Sequence, residues 1–167
     1  KNQEFFIGCR LALDAMITFG VKKIAESKID GPGLAWNHFY TKAQQLINRE
    51  ATGHAALSLI DGLMAEATQE QWNSWYRRIL IKDMRAGFSE KTVNSVVEKL
   101  NAKDYIIPVF TCQLAHDSAN HESKVAGEKL IEVKLDGVRV IAIVYPTGAV
   151  SLFSRNRSEE HTSELQS

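Results

Sequence analysis

A change of hydrophobic period near residue 108 constrains this chain more than any other feature. Up to about Asn101 apolar residues recur every three or four positions, which places them on one face of a helix. Beyond Pro108 the text turns into short β-branched runs separated by turn dipeptides, the signature of strands. One segment cannot satisfy both periods, so the expected fold class is α+β, with an all-α helical bundle followed by strands of a second domain. The expected boundaries are 1–106 for the bundle, 107–127 for a linker, 128–156 for the start of the second domain and 157–167 for a foreign tail.

The helical part predicts five helices. Phe5, Cys9, Ala12 and Met16 form the first stripe, widened by Phe6, Leu13 and Ile17, with Gly20 ending or interrupting it. The string Asp30-Gly31-Pro32-Gly33 is a loop by turn chemistry. Phe39, Ala43, Leu46 and Ile47 mark the second helix, and Ala55, Leu59, Ile60 and Leu63 a third that begins near Thr52. Trp72, Trp75, Tyr76, Ile79 and Leu80 mark the fourth, where their spacing favours core packing over base stacking. The fifth is expected to start at an N-cap Ser89, with Glu90 at the positive end of the dipole, and to bury Val93, Val96, Val97 and Leu100.

His116 to Lys124 is polar and suits a linker or surface loop. Leu130 to Leu135 then reads as a strand, Asp136-Gly137 as a tight turn and Val138 to Tyr145 as the return strand. Pro146-Thr147-Gly148 turns again, and Val150 to Phe153 begins a third strand.

Composition excludes several classes. With 44% hydrophobic residues, 10 Gly and 3 Pro, the chain is neither disordered nor collagen-like, and no run reaches the roughly 20 apolar residues of a membrane span. Cys9 and Cys112 without a leading signal peptide argue against a disulfide framework and for a reducing cytoplasm. From Arg157 onward, RSEEHTSELQS has no hydrophobic period and resembles a sequencing-library adapter translated in one frame. Setting it aside leaves 19 Lys+Arg against 17 Asp+Glu over 156 residues, about +2. The expectation is a natural gene interrupted near Asn156, and, since residue 1 is Lys, a natural start that is missing.

The sharpest chemical feature is Glu132-Val133-Lys134-Leu135-Asp136-Gly137-Val138-Arg139. At ordinary residue usage K-x-D-G-x-R arises by chance on the order of once in 10³ chains of this size. Alone it reads as a surface hairpin with charged flanks. It is followed, after an apolar strand, by Ser154-Arg155-Asn156. With this pair the sequence resembles the ATP-dependent DNA ligases, specifically the type encoded by tailed bacteriophages with a helical domain ahead of the catalytic one. Lys134, Asp136, Gly137 and Arg139 match the family's nucleophile motif, and Ser154 and Arg155 its S-R-x-G motif, whose Gly would fall at Arg157 in the foreign tail. Thr52-Gly53-His54-Ala55-Ala56 and the stretch from Arg77 to Ser89 are similar to the family's helical part.

The resemblance implies that the second domain is the beginning of a truncated nucleotidyltransferase (adenylation) domain. It implies Lys134 as the residue that takes AMP from ATP, Glu132 at the adenine edge, and Arg139 and Arg155 on phosphate or ribose, with ATP and Mg2+ as cofactors. Nicked duplex DNA is the implied partner of a monomer that needs no membrane. A lysine of reference pKa about 10.4 is only on the order of 0.04% neutral at pH 7, a handicap near 4.6 kcal/mol for an amine nucleophile, so cationic neighbours or burial must lower it.

Arg78, Lys82 and Arg85 sit at i, i+4 and i+7, on the side of the fourth helix opposite Trp75, Tyr76 and Ile79. A solvated basic face is the plain reading. Contact with duplex phosphates, extended by the backbone amides from Gly87 to Ser89, is the functional one. Cys112, His116 and His121 match no zinc spacing, so no metal site is expected, and His54 is read as a helix-start or packing histidine. Two other classes compete with a nick-sealing ligase: a related nucleotidyltransferase such as an RNA ligase or capping enzyme, and a helical DNA-binding module without chemistry. The helical segment ahead of the lysine favours the DNA ligase.

Overall fold

The computed structural model describes residues 3–109, 119, 123, 126–130, 133, 137 and 140–154, with Ser154 described by its backbone alone. The chain is mostly helical and carries one small antiparallel sheet, an α+β arrangement. It divides into two compact units, Lys1–Val109 and Phe110–Ser167.

The first unit contains α1 (Gln3–Leu13), α2 (Trp36–Ile47), α3 (Gly53–Glu66), α4 (Gln69–Gln71), a π-helical turn Trp72–Tyr76, α5 (Arg77–Leu80) and α6 (Glu90–Lys99). Helical dihedrals run through the two junctions at Trp72 and Arg77, so residues 69–80 form one continuous helix with a wide turn inside. The main core joins Leu11, Leu34, Phe39, Leu46, Ile60, Trp72, Ile79 and Leu80. Trp72 and Phe39 are fully buried, and truncating such a side chain to Ala costs about 3–5 kcal/mol. A second cluster joins Cys9, Val93, Val97 and Ile107, so the two sides of α1 serve two cores. Gly8 permits this, because a Cβ there would meet the Trp75 indole.

Several boundaries differ from the sequence expectations. α1 stops at Leu13, well before Gly20, because the Asp14 carboxylate accepts from the Met16 amide and turns the chain. In α6 only Val93 and Val97 are buried, while Val96 and Leu100 are 43% and 61% exposed. Ser89 holds the N-cap position with extended dihedrals, yet its hydroxyl makes no cap hydrogen bond. Ala55 is exposed and the inner face of α3 is Ala56, Ile60 and Leu63.

Residues 14–35 are irregular but firmly held. Trp72 Nε1 donates to the Ala25 carbonyl at 3.0 Å, Arg77 Nε to Ile24 at 2.8 Å, and Tyr76 Oη to Leu34 at 2.9 Å. Asn73 donates to the Ser27 carbonyl and accepts from the Ser27 amide, at 3.0 and 2.9 Å. Gln71 closes a capping box with Thr68 and, with the same amide group, clasps both the N–H and the carbonyl of Leu34. Gly31 lies so close to the end of α3 that a Cβ would fall on the carbonyl oxygens of Ala65, Glu66 and Ala67. Side chains of the 69–80 helix thus pair main-chain groups of this segment from Ile24 to Leu34, alongside the backbone bonds of Gly31 and Gly33 to Ala67 and Glu66.

In the second unit β1 (Val140–Val144) pairs antiparallel with β2 (Val150–Ser154), in register from Val140 opposite Ser154 to Val144 opposite Val150. The expected Pro146-Thr147-Gly148 turn joins them, with the Gly148 amide bonded to the Tyr145 carbonyl at 2.8 Å and Gly148 at φ 82°. The expected strand over Leu130 to Leu135 falls mostly outside the described residues.

Candidate functional site

Glu132, Lys134, Arg139 and Arg155 lie outside the described residues, as do Cys112, His116 and His121. What is described of that region is its frame. Among the described residues nothing stands within 4 Å of where a Gly137 Cβ would be, β1 begins directly after Arg139 in sequence, and β2 ends directly before Arg155. Because Val140 and Ser154 are register partners, the two sequence motifs adjoin the same end of one hairpin. Val140, Val144 and Val150 remain exposed, and a lone hairpin is marginal in water, so this sheet wants further covering.

The expected basic face on the helical unit takes a different form. α5 ends at Leu80, and Lys82 and Arg85 have left-handed backbones, at φ 58° and 45°. The Lys82 amide bonds back to Ile79 and the Asp83 amide to Arg78, the paired closure of a Schellman motif with Lys where Gly is usual. Arg78, Lys82 and Arg85 therefore do not share a helix face. Lys82 instead points inward: its ammonium donates to the carbonyls of Leu11 at 3.1 Å and Asp14 at 2.7 Å, and lies 6.0 Å from the centre of the Phe19 ring. Burial lowers its pKa to about 8, against the opposing pull of the Asp14 carboxylate. Lys82 is a cation at the C-terminal end of α1, where the helix dipole is negative.

Arg78 is half-buried and its Nε donates to the Asn73 carbonyl of the π turn at 3.2 Å. Arg85 is exposed and its Nε pairs with the Asp83 carboxylate at 3.1 Å. Gly87, at φ 70°, and Ser89 are exposed around the start of α6. Trp72 and Tyr76 are buried core residues and Trp75 stacks on Phe5 at 5.7 Å, as their spacing predicts. His54 is exposed at the first turn of α3.

The expectations from sequence overlook the segment before α2. Lys22 and Lys23 project from it into solvent, on a backbone fixed just downstream by Trp72 and Arg77. Among the described residues no cluster of His, Cys, Asp and Glu could hold a metal ion, and no helix is long and apolar enough to cross a membrane.

No protein-family model and no curated protein matches the chain. Two solved structures do: the ligase-related chains named Pmar-Lig_PreS3 and Pmar-Lig_Pre, each 49% identical over 95% of this chain, with TM-scores of 0.72 and 0.73. This chain spans 36% of the length of each. The likeness points to a piece of a ligase-related protein.

Proposed function

We propose that this chain is the N-terminal part of an ATP-dependent DNA ligase that seals nicks in duplex DNA. The observation that carries the reading is the 49% identity, over nearly the whole chain, to two ligase-related structures. The K-x-D-G-x-R string at Lys134 to Arg139 and the Ser154-Arg155 pair, which resemble the ATP-dependent family, supply the finer assignment.

In this reading the Lys134 amine attacks the α-phosphorus of ATP. A nitrogen–phosphorus bond forms, the bond to pyrophosphate breaks, and the amine gives up a proton. AMP then moves to the 5′-phosphate at the nick, which frees the lysine, and the 3′-hydroxyl displaces AMP to seal the strand. Glu132 meets the adenine edge, and Arg139 and Arg155 take phosphate or ribose oxygens, for which a planar guanidinium suits. Mg2+ would neutralise charge on the triphosphate during transfer. The helical unit holds the duplex, with Arg78, Arg85, Gly87 and Ser89 as candidate phosphate contacts; Lys82 contributes by fixing the corner that carries Arg85. No base-reading motif is visible, as suits an enzyme that acts on any sequence.

The test is sealing of a labelled nicked duplex by the parent enzyme with ATP and Mg2+. Sealing that depends on ATP supports the proposal. A parent that joins only RNA ends, or transfers GMP to an RNA 5′ end, would place it among the related nucleotidyltransferases instead.

A further inference from the structure

Two concavities meet at Lys22 and Lys23. One, of about 380 Å3, is lined by the two lysines with Gly20, Gly53, His54 and Leu57. The other, of about 650 Å3, shares both lysines and reaches Arg77, Ile81 and Asp83. The first has no carboxylate in its wall, and neither lysine makes an ion pair among the described residues. Gly20 and Gly53 both have positive φ, at 70° and 52°, and both are exposed in the lining of this notch. The Arg49 guanidinium lies against Gly20, where a Cβ would strike it.

The segment presenting these lysines is unusual in being long, irregular and yet fixed. Connections of this length without secondary structure of their own are uncommon and mostly functional. Here the carbonyls of Ile24, Ala25 and Ser27 are pinned by Arg77, Trp72 and Asn73, so the two ammonium groups spring from a rigid platform. A cationic, carboxylate-free notch on a rigid platform suits a row of phosphodiesters. The second concavity continues it to Asp83, the partner of Arg85.

The geometry points to a phosphate-binding track for duplex DNA that runs from the start of α3, across Lys22 and Lys23, to the corner after α5. The inference rests on the duplex-binding reading above and places its main contacts on a segment that carries no sequence motif. Lys22 and Lys23 contact phosphate oxygens directly. The glycine walls let the backbone of one strand approach, and His54 lines the same notch. Each direct contact releases counterions, so the track contributes salt-dependent, sequence-neutral affinity.

The experiment measures binding of the intact chain to a fluorescein-labelled nicked duplex by anisotropy over a series of salt concentrations. The variants are Lys22→Ala/Lys23→Ala and, as a control of equal charge change, Lys91→Ala/Lys99→Ala on α6. All four lysines are exposed, and melting curves check that each protein stays folded. The expected result is a slope of log affinity against log salt reduced by roughly two units in the Lys22/Lys23 variant and unchanged in the control. Binding by the parent chain with both variants alike would overturn the track and leave the duplex reading standing. A parent chain that does not bind at low salt would overturn both.

Discussion

The ammonium of Lys82 donates to the carbonyl of Asp14 across 2.7 Å, joining the corner after α5 to the end of α1. A second bond, to the Leu11 carbonyl at 3.1 Å, makes Lys82 an external C-cap for α1. Its left-handed backbone costs about 1–2 kcal/mol, which these bonds offset. Lys82→Ala takes the ammonium from the Leu11 carbonyl, leaves the Asp14 carbonyl with the Ile17 amide alone and removes the aliphatic stem, so it should destabilise the helical unit by about 1–3 kcal/mol. Urea denaturation followed by circular dichroism measures this. A loss below about 0.5 kcal/mol would show that the amine is not structurally engaged.

The same lysine gives stability a definite pH dependence. Its pKa in the folded chain is lowered to about 8, whereas the unfolded side chain titrates near 10.5. Below about pH 8 it is charged in both states, and the folded state carries the full cost of burying the charge. Between about 8 and 10.5 the unfolded state binds more protons, so stability rises with pH, by up to about 1.4 kcal/mol per unit. The stability of the parent chain relative to Lys82→Met should therefore be greater at pH 9.5 than at pH 7.5. A difference that shrinks over this interval would reverse the sign of the account.

Gln71 ties together three main-chain groups: the amides of Thr68 and Leu34 and the carbonyl of Leu34. Gln71→Ala should cost about 2–3 kcal/mol, since it removes half of a capping box and the clasp on residues 14–35 together. Hydrogen exchange at Leu34 should quicken more than at Leu46, which sits in the core of α2. Equal changes at both would indicate global loosening and not loss of the clasp.

The helical periods and the turn at Pro146 to Gly148 were legible because they depend on local residue chemistry. The helix ends were not. α2, α5 and α6 each close in a Schellman motif with Arg49, Lys82 or Asn101 at the left-handed position, and only Asn101 advertises it. Arg and Lys are good helix formers, so the pattern carried the fourth helix through Lys82 and drew three cations onto one face. Residues 14–35 were opaque for a related reason. Their order comes from Gln71, Asn73, Trp72 and Arg77, far along the chain, and leaves no local period. The K-x-D-G-x-R string can be read from sequence because it is a fixed string, whereas Lys22 and Lys23 gain meaning only from the walls around them.

Adenylylation of the parent enzyme tests the central claim most directly. The parent and its Lys134→Ala variant are incubated with α-labelled ATP and Mg2+ without DNA, denatured, and separated from free nucleotide. The account predicts covalent label on the parent, mapped to the peptide that contains Lys134, and none on the variant. Label that persists on Lys134→Ala would contradict it.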